Sequence, residues 1–216
     1  MENGEEGPGD VRGGADQALA MAGARPQRGA PRHEVAEYAL MGLLRDGPAH
    51  GYRLAAAFEP VGRLGQILRL KMSLMYAYLH KLERQGWVTA RTEGGEGGRQ
   101  RREFAITPAG ETAFDRWVAE PVGATREVRL DFMVKLAFAS ERDQRIAVAL
   151  VGRQTEAASD RLERLRAQLA RLPASERDGV VGLVLGHRAR QTEATLIWLA
   201  EVRERLGASP GAKSAE

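Results

Sequence analysis

Two short runs of alternating residues, 87–92 and 101–107, flank a glycine-dense stretch (Gly94, Gly95, Gly97, Gly98) in a chain whose other periodicities are helical. Alternation around a glycine turn predicts a β-hairpin. An isolated two-stranded hairpin is marginal in water, so it has to pack against the helices on either side of it. That requirement narrows the fold to small mixed arrangements in which a hairpin is inserted into a helical domain. The loop is longer than the common two to five residues, so its tip is expected to be mobile.

The helices before the hairpin are marked by spacing and by breakers. Val35, Tyr38, Ala39, Met41, Gly42, Leu43 and Leu44 form one apolar helical face, stopped by Asp46-Gly47-Pro48. A second helix is predicted over 49–59, with Tyr52, Leu54, Ala55 and Phe58 inward and Pro60 beyond its end. Residues 61–70 read as a loop with a helical turn. A third helix over 72–85 carries Met75, Leu79 and Leu82 at the i, i+4, i+7 spacing of a buried face, with Gly86 at its C-terminal cap. After the hairpin, Thr107-Pro108 reads as an N-cap followed by proline at the first helical position, opening a helix to about residue 120. Three helices, a hairpin and a helix form the order of a winged helix-turn-helix, in which the third helix enters the major groove and the hairpin wing touches the DNA backbone.

The side chains fit that role. With Met75, Leu79 and Leu82 inward, Ser73, Tyr76, Ala77 and His80 face outward. Ser, Tyr and His can bond phosphates or base edges, and Ala leaves room for a thymine methyl. Lys71 and Lys81 are placed to meet phosphates. The wing adds Arg99, Arg101 and Arg102 next to glycines that let the backbone approach a phosphate ladder. Tyr78 reads as a core aromatic. Tyr52 reads equally as core or as part of a helix start facing a phosphate, and His50 as a polar surface or DNA contact.

Residues 125–206 lack strand signals. Ser140 with Asp143, and Ser175 with Asp178, have capping-box spacing, and each is expected to start a long helix. Leu162, Leu165, Leu169 and Leu172 follow one seam, and Thr195, Leu199, Val202 and Leu206 another. A partner subunit is the expected cover for both. Residues 1–33, without aromatics and rich in Gly, Ala, Pro and Arg, are expected to form a disordered arm, and 207–216 a flexible tail. This divides the chain into an arm (1–33), a winged helix (34–120), a helical dimerisation region (121–206) and the tail. The fold class is mainly α with a small β-hairpin wing.

Charge and motif content exclude other classes. The net charge of +3 is spread as four bases against five acids over 1–33, twelve against eleven over 34–120, and sixteen against thirteen beyond. Placement, not total, therefore argues for nucleic acid. The absence of cysteine excludes disulfides and thiolate chemistry. No apolar run approaches the ~18 residues of a membrane span, and Met1-Glu2-Asn3-Gly4-Glu5-Glu6 is no secretory start, so a cytoplasmic protein is expected. The Gly94–Gly98 stretch lacks the Lys-Ser/Thr of a phosphate loop, His50 and His80 lack metal-ligand spacing, and neither Gly-x-Ser-x-Gly nor His-Glu-x-x-His is present. No enzyme, cofactor or metal is expected. Trp117 and Trp198 are candidates to stack on a planar effector, with buried packing the alternative for both. A winged helix that docks another protein, with the helical tail as scaffold, is the competing reading.

Several stretches resemble the PadR-type transcriptional regulators. They are Tyr38-Ala39-Leu40-Met41-Gly42-Leu43-Leu44, then Gly47-Pro48-Ala49-His50-Gly51-Tyr52-Arg53-Leu54, then residues 76–88, and the wing from Gly98-Arg99 to Thr107-Pro108-Ala109-Gly110. The match runs in order over about 35–120, and the helical tail resembles the family's longer C-terminal dimerisation region. The resemblance implies a homodimer on a pseudo-palindromic operator in double-stranded DNA, usually a repressor released by a small, often phenolic or drug-like ligand. Lys71 stands where the family commonly has a Ser or Thr cap, and Met72-Ser73 where it has a small or Pro/Gly pair.

Overall fold

A computed structural model of the chain describes residues 32–94 and 100–208. The expected arm up to residue 31 and the tail from 209 lie outside these residues. Helix α1 (Arg32–Leu44) is followed by a two-residue strand β1 (Ala49–His50), a short helix α2 (Gly51–Ala56) and helix α3 (Met72–Arg84). Strands β2 (Val88–Gly94) and β3 (Gln100–Ile106) form the hairpin, and α4 (Pro108–Ala119) closes this half. The sheet is antiparallel with order β1-β3-β2, pairing Ala49 with Phe104 and Val88 with Ile106.

The cap signals are used as read. Gly86 takes φ +73°, a left-handed conformation that ends α3 without the Cβ penalty another residue would carry. The Thr107 hydroxyl accepts from Gly110 N (3.1 Å) and donates to Gly86 O (2.7 Å). One side chain thus caps α4 and ties it to the end of α3.

The second helix is shorter than the expected 49–59. Ala49 and His50 are drawn off as a third strand on β3, and after Ala56 the chain turns back on itself, with Leu64 N donating to Ala57 O (2.8 Å). A run of helical periodicity therefore yields to a ladder that satisfies backbone groups at the sheet edge. Residues 61–70 form turns, and Leu64 is fully buried.

The first core joins Leu40, Met41, Leu44, Leu54, Phe58, Leu64, Met75, Leu79, Leu82, Val88, Phe104, Phe114 and Trp117. It also takes Val134 and Phe138, which lie beyond the expected boundary at 120. The segment that delivers them has a three-residue turn α5 (Thr125–Glu127), a π-helical turn (Val128–Phe132) and helix α6 (Met133–Arg142).

Two long helices complete the chain, α7 (Gln144–Arg171) and α9 (Val180–Ala208), separated by the four-residue α8 (Ala174–Arg177). Their starts differ from the expected capping boxes. Ser140 lies inside α6, and Asp143 alone caps α7 by accepting from Arg145 N (2.7 Å). Ser175 lies in α8, and the long helix starts only at Val180. The helices run antiparallel, Gln144 reaching the Leu206 carbonyl at one end and Arg166 pairing with Glu193 further along (2.8 Å).

That fold-back corrects the expected dimer seams. Leu162 and Leu165 pack with Ala189, Leu169, Leu185 and Leu196, while Leu199, Val202 and Leu206 pack with Phe132, Leu150 and Val151. The turn at α8 presents one seam to the other, so Leu162, Leu165 and Leu199 are buried within the same chain, while Leu169, Leu172, Val202 and Leu206 stay partly exposed.

The connection between the two halves is held at successive residues by side chains from the helical half. Arg153 Nε donates to Ala119 O (2.8 Å), Lys135 Nζ to Glu120 O (2.7 Å), and Arg161 Nη1 to Gly123 O (3.2 Å). The buried amide of Gln154 both accepts from Val122 N (2.7 Å) and donates to Val122 O (3.2 Å). Glu127 accepts from Ala124 N (3.0 Å), and the Thr125 and Thr192 hydroxyls share a hydrogen bond (3.2 Å).

Candidate nucleic-acid interface

Helix α3 buries Met75, Tyr78, Leu79 and Leu82 and exposes Lys71, Ser73, Ala77, His80 and Arg84. Its outward line therefore matches the expected one at Ser73, Ala77 and His80. Tyr78 is core, as expected, and burial raises its phenol pKa, with Glu37 adding to the rise and Lys81 opposing it. Lys71 occupies the N-cap with no side-chain hydrogen bond to the helix, leaving its ammonium at an open helix start.

Tyr76 departs from the groove face. It is half-buried against the first core, with Phe104 at 6.4 Å between ring centroids. A Cβ on Gly51 would lie 2.2 Å from the Tyr76 hydroxyl oxygen, so the glycine makes room for the phenol. The ring is spent on joining α2, α3 and β3 together.

Lys81 is committed as well. Its ammonium donates to both oxygens of Glu37 (2.7 and 2.8 Å), whose residue is 4% exposed on α1. An unpaired buried carboxylate is costly, so this lysine first compensates Glu37 and only its outer side is open to a phosphate. Glu37 escaped the sequence reading because an acid on an apolar helix face carries no pattern of its own.

The wing is fastened to α3 through Arg102. Its Nη2 donates to both oxygens of Glu83 (2.8 and 3.0 Å), its Nη1 to His80 Nδ1 (3.1 Å), and its guanidinium lies 5.4 Å from the Phe104 ring centre. His50 Nδ1 donates to the Arg102 carbonyl (3.4 Å). Arg102, expected on the DNA backbone, is engaged by Glu83 and His80 and holds β3 against α3. The signal for its anchor was present, since Glu83 is the one acid between Lys71 and Arg84. Arg101 is exposed, and Arg99 lies outside the described residues.

Tyr52 is 63% exposed, which removes the core reading, and its ring stacks on His50 at 5.8 Å. Helix α2 has only six residues, so a dipole at its start adds little. Of the two tryptophans that are effector candidates, Trp117 lies inside the packing and Trp198 is half-buried. Trp117 is buried, stacks on Tyr38 at 4.6 Å and carries the Lys135 ammonium 4.8 Å from its ring centre. Trp198 packs edge-on to Phe132.

Beside Trp117, Asp115 accepts from Arg45 of α1 and Arg142 of α6. Burial would raise its pKa, but the two guanidinium hydrogen bonds outweigh that and hold it below the ordinary value. Among the described residues no group of His, Cys, Asp or Glu could hold a metal ion, and no helix is long and apolar enough to cross a membrane.

Two regions of the chain match known families. The profile of the transcriptional regulator PadR-like family matches residues 40–116, and that of the virulence activator alpha C-terminal region matches 128–207. The negative transcriptional regulator PadR of Bacillus subtilis is 29% identical over 141 residues, covering 65% of this chain and 76% of that protein. A probable transcriptional regulator of Mycobacterium tuberculosis is 30% identical over 186 residues, 78% of this chain and 96% of that protein. The crystal structure of Bacillus subtilis PadR in complex with operator DNA is 25% identical, with coverage of 80% and 99% and a TM-score of 0.41. The chain belongs to the PadR-like family of DNA-binding transcriptional regulators.

Proposed function

We propose that the chain is a cytoplasmic repressor that binds a pseudo-palindromic operator as a homodimer. Residues 34–120 are the reader and 121–206 the dimerising region. Helix α3 lies in the major groove with Ser73, Ala77 and His80 toward base edges. Lys71, Arg99, Arg101 and the outer side of Lys81 meet phosphates, and Tyr52 and His50 flank them. The observation that carries this reading is the exposed line of α3 with the wing clamped beside it by the Arg102–Glu83 pair. A helix and wing held in fixed relation can engage groove and backbone at once.

The second copy is assigned to the outer face of α9, where Val180, Leu183 and Ile197 are exposed on the side turned away from α7. The name of the Bacillus subtilis relative, a negative regulator, supports repression. A small planar or phenolic effector would release the operator by shifting the geometry of the dimer and with it the spacing of the two recognition helices. Trp198, half-buried against Phe132, is a face on which it can stack, whereas Trp117 lies inside the packing.

Footprinting the purified protein on the DNA flanking its own gene tests the proposal. Protection of two half-sites about one helical turn apart, roughly 34–36 Å, is the expected result. A single short footprint, or none, opposes the dimeric reader.

A further inference from the structure

The tip of α3 carries an apolar feature that phosphate binding does not use. Met72 is 54% and Leu74 41% exposed, on either side of Ser73, and Ala77 is exposed one turn later. Side chains in a helix lean toward its N-terminus, so those of the first turn project beyond the tip. The exposed cations Arg69 and Lys71 directly precede them in the chain, and the first turn holds no acid. An apolar tip with a cationic rim is complementary to a surface that is anionic at its edges and has apolar groups at its floor. The major groove has that character, and its apolar group is the 5-methyl of thymine.

We infer that Met72 and Leu74 read thymine methyl groups, so that each half-site of the operator places A·T pairs under the tip of α3. The inference rests on the DNA-reading function proposed above and adds the base feature that is recognised. Ser73 between them supplies a hydroxyl for a neighbouring base edge or phosphate, and Ala77 leaves the space that lets the helix approach. The flexible, unbranched side chain of Met72 suits contact with a methyl whose position varies with local groove geometry.

Replacing thymine by deoxyuridine removes the methyl and leaves base pairing and every phosphate in place. The full chain is titrated by fluorescence anisotropy against the duplex it protects, with each thymine of a half-site changed in turn, and the series is repeated with Met72→Ser and Leu74→Ser. Both side chains are exposed, and circular dichroism checks that the variants remain folded. The wild type should lose about fourfold in affinity per methyl removed, the weight of one buried methylene. At the thymine it reads, each variant should lose nothing further on uracil substitution. Uracil substitutions that are neutral throughout the half-sites overturn the inference but leave DNA reading intact. Variants that keep the full wild-type sensitivity to uracil overturn it too, because other residues then contact the methyls. A wild type that retains no duplex overturns the DNA-reading function and this inference with it.

Discussion

Replacing Lys135 by methionine should change how the stability of the protein depends on pH. Lys135 is 4% exposed, and burial lowers its pKa from 10.5 to about 8 despite the opposing effect of Glu120, Asp131 and Glu127. The ammonium donates to Glu120 O (2.7 Å) and lies over Trp117. A lysine depressed in the folded state binds its proton more weakly there than in the unfolded chain. Above about 10.5 neither state holds the proton and the group costs nothing. As pH falls toward 8 only the unfolded chain takes it up, so stability is lost across that window, and below 8 the cost is complete. The full shift corresponds to about 3 kcal/mol. Between pH 7.5 and 10 the wild type should gain about 2 kcal/mol relative to Lys135→Met. Urea unfolding of both proteins at both pH values isolates this double difference, since titrations common to both cancel. Methionine also removes the donor to Glu120 O, but that loss is nearly the same at each pH. Parallel pH profiles for the two proteins would refute the reasoning, because they would mean that Lys135 keeps an ordinary pKa in the folded chain.

Three further outcomes follow from the interface. Arg99→Ala and Arg101→Ala should weaken binding to all duplexes alike and each flatten the log–log salt slope by about 1.8 for the dimer, about 0.9 per protomer, read from anisotropy titrations in a salt series; an unchanged slope removes that arginine from the phosphate contacts. Glu83→Gln and Arg102→Ala should be coupled by about 1 kcal/mol in a double-mutant cycle of urea unfolding, and Glu83→Gln should lower operator affinity although it removes a negative charge. A rise in affinity would show that Arg102 serves DNA better when released. Thr107→Ala should cost about 1 kcal/mol of stability through the lost α4 cap, measured in the same way; no loss would mean that Pro108 and the helix hold the turn unaided.

The sequence made the reader's frame legible because its punctuation is local. Gly86, Thr107-Pro108 and the alternation on either side of the glycines determine their own neighbourhoods, and the apolar spacing of Met75, Leu79 and Leu82 identifies the buried face of α3. What escaped was set by distant partners. Ala49 and His50 join a sheet because β3 passes beside them, and Arg102 faces α3 because Glu83 is opposite it. The leucine seams of α7 and α9 look alike whether their cover comes from the same chain or from a second one, and only the antiparallel fold-back decides. The capping spacing at Ser140 misplaced the start of α7 because Asp143 alone suffices as a cap. Lys81 is engaged by a buried acid on α1, and Tyr76 is turned inward where a glycine admits its phenol.

The clamped connection at residues 119–125 bears on how motion can pass through the molecule. Its carbonyls and amides are bonded to α7 and to α6, so there is no slack for the reader to swing independently of the hairpin. Helix α7 runs on for 17 residues beyond Gln154, an arm of about 26 Å at the α-helical rise. A tilt of the joined unit by about 8° about the far end of that arm then carries the joint through about 4 Å, comparable to the 3.4 Å axial spacing of bases along one DNA strand. A stiff joint on a long arm converts small angles into whole-base displacements, and softening it, for instance by Gln154→Ala, would leave the parts intact while uncoupling them.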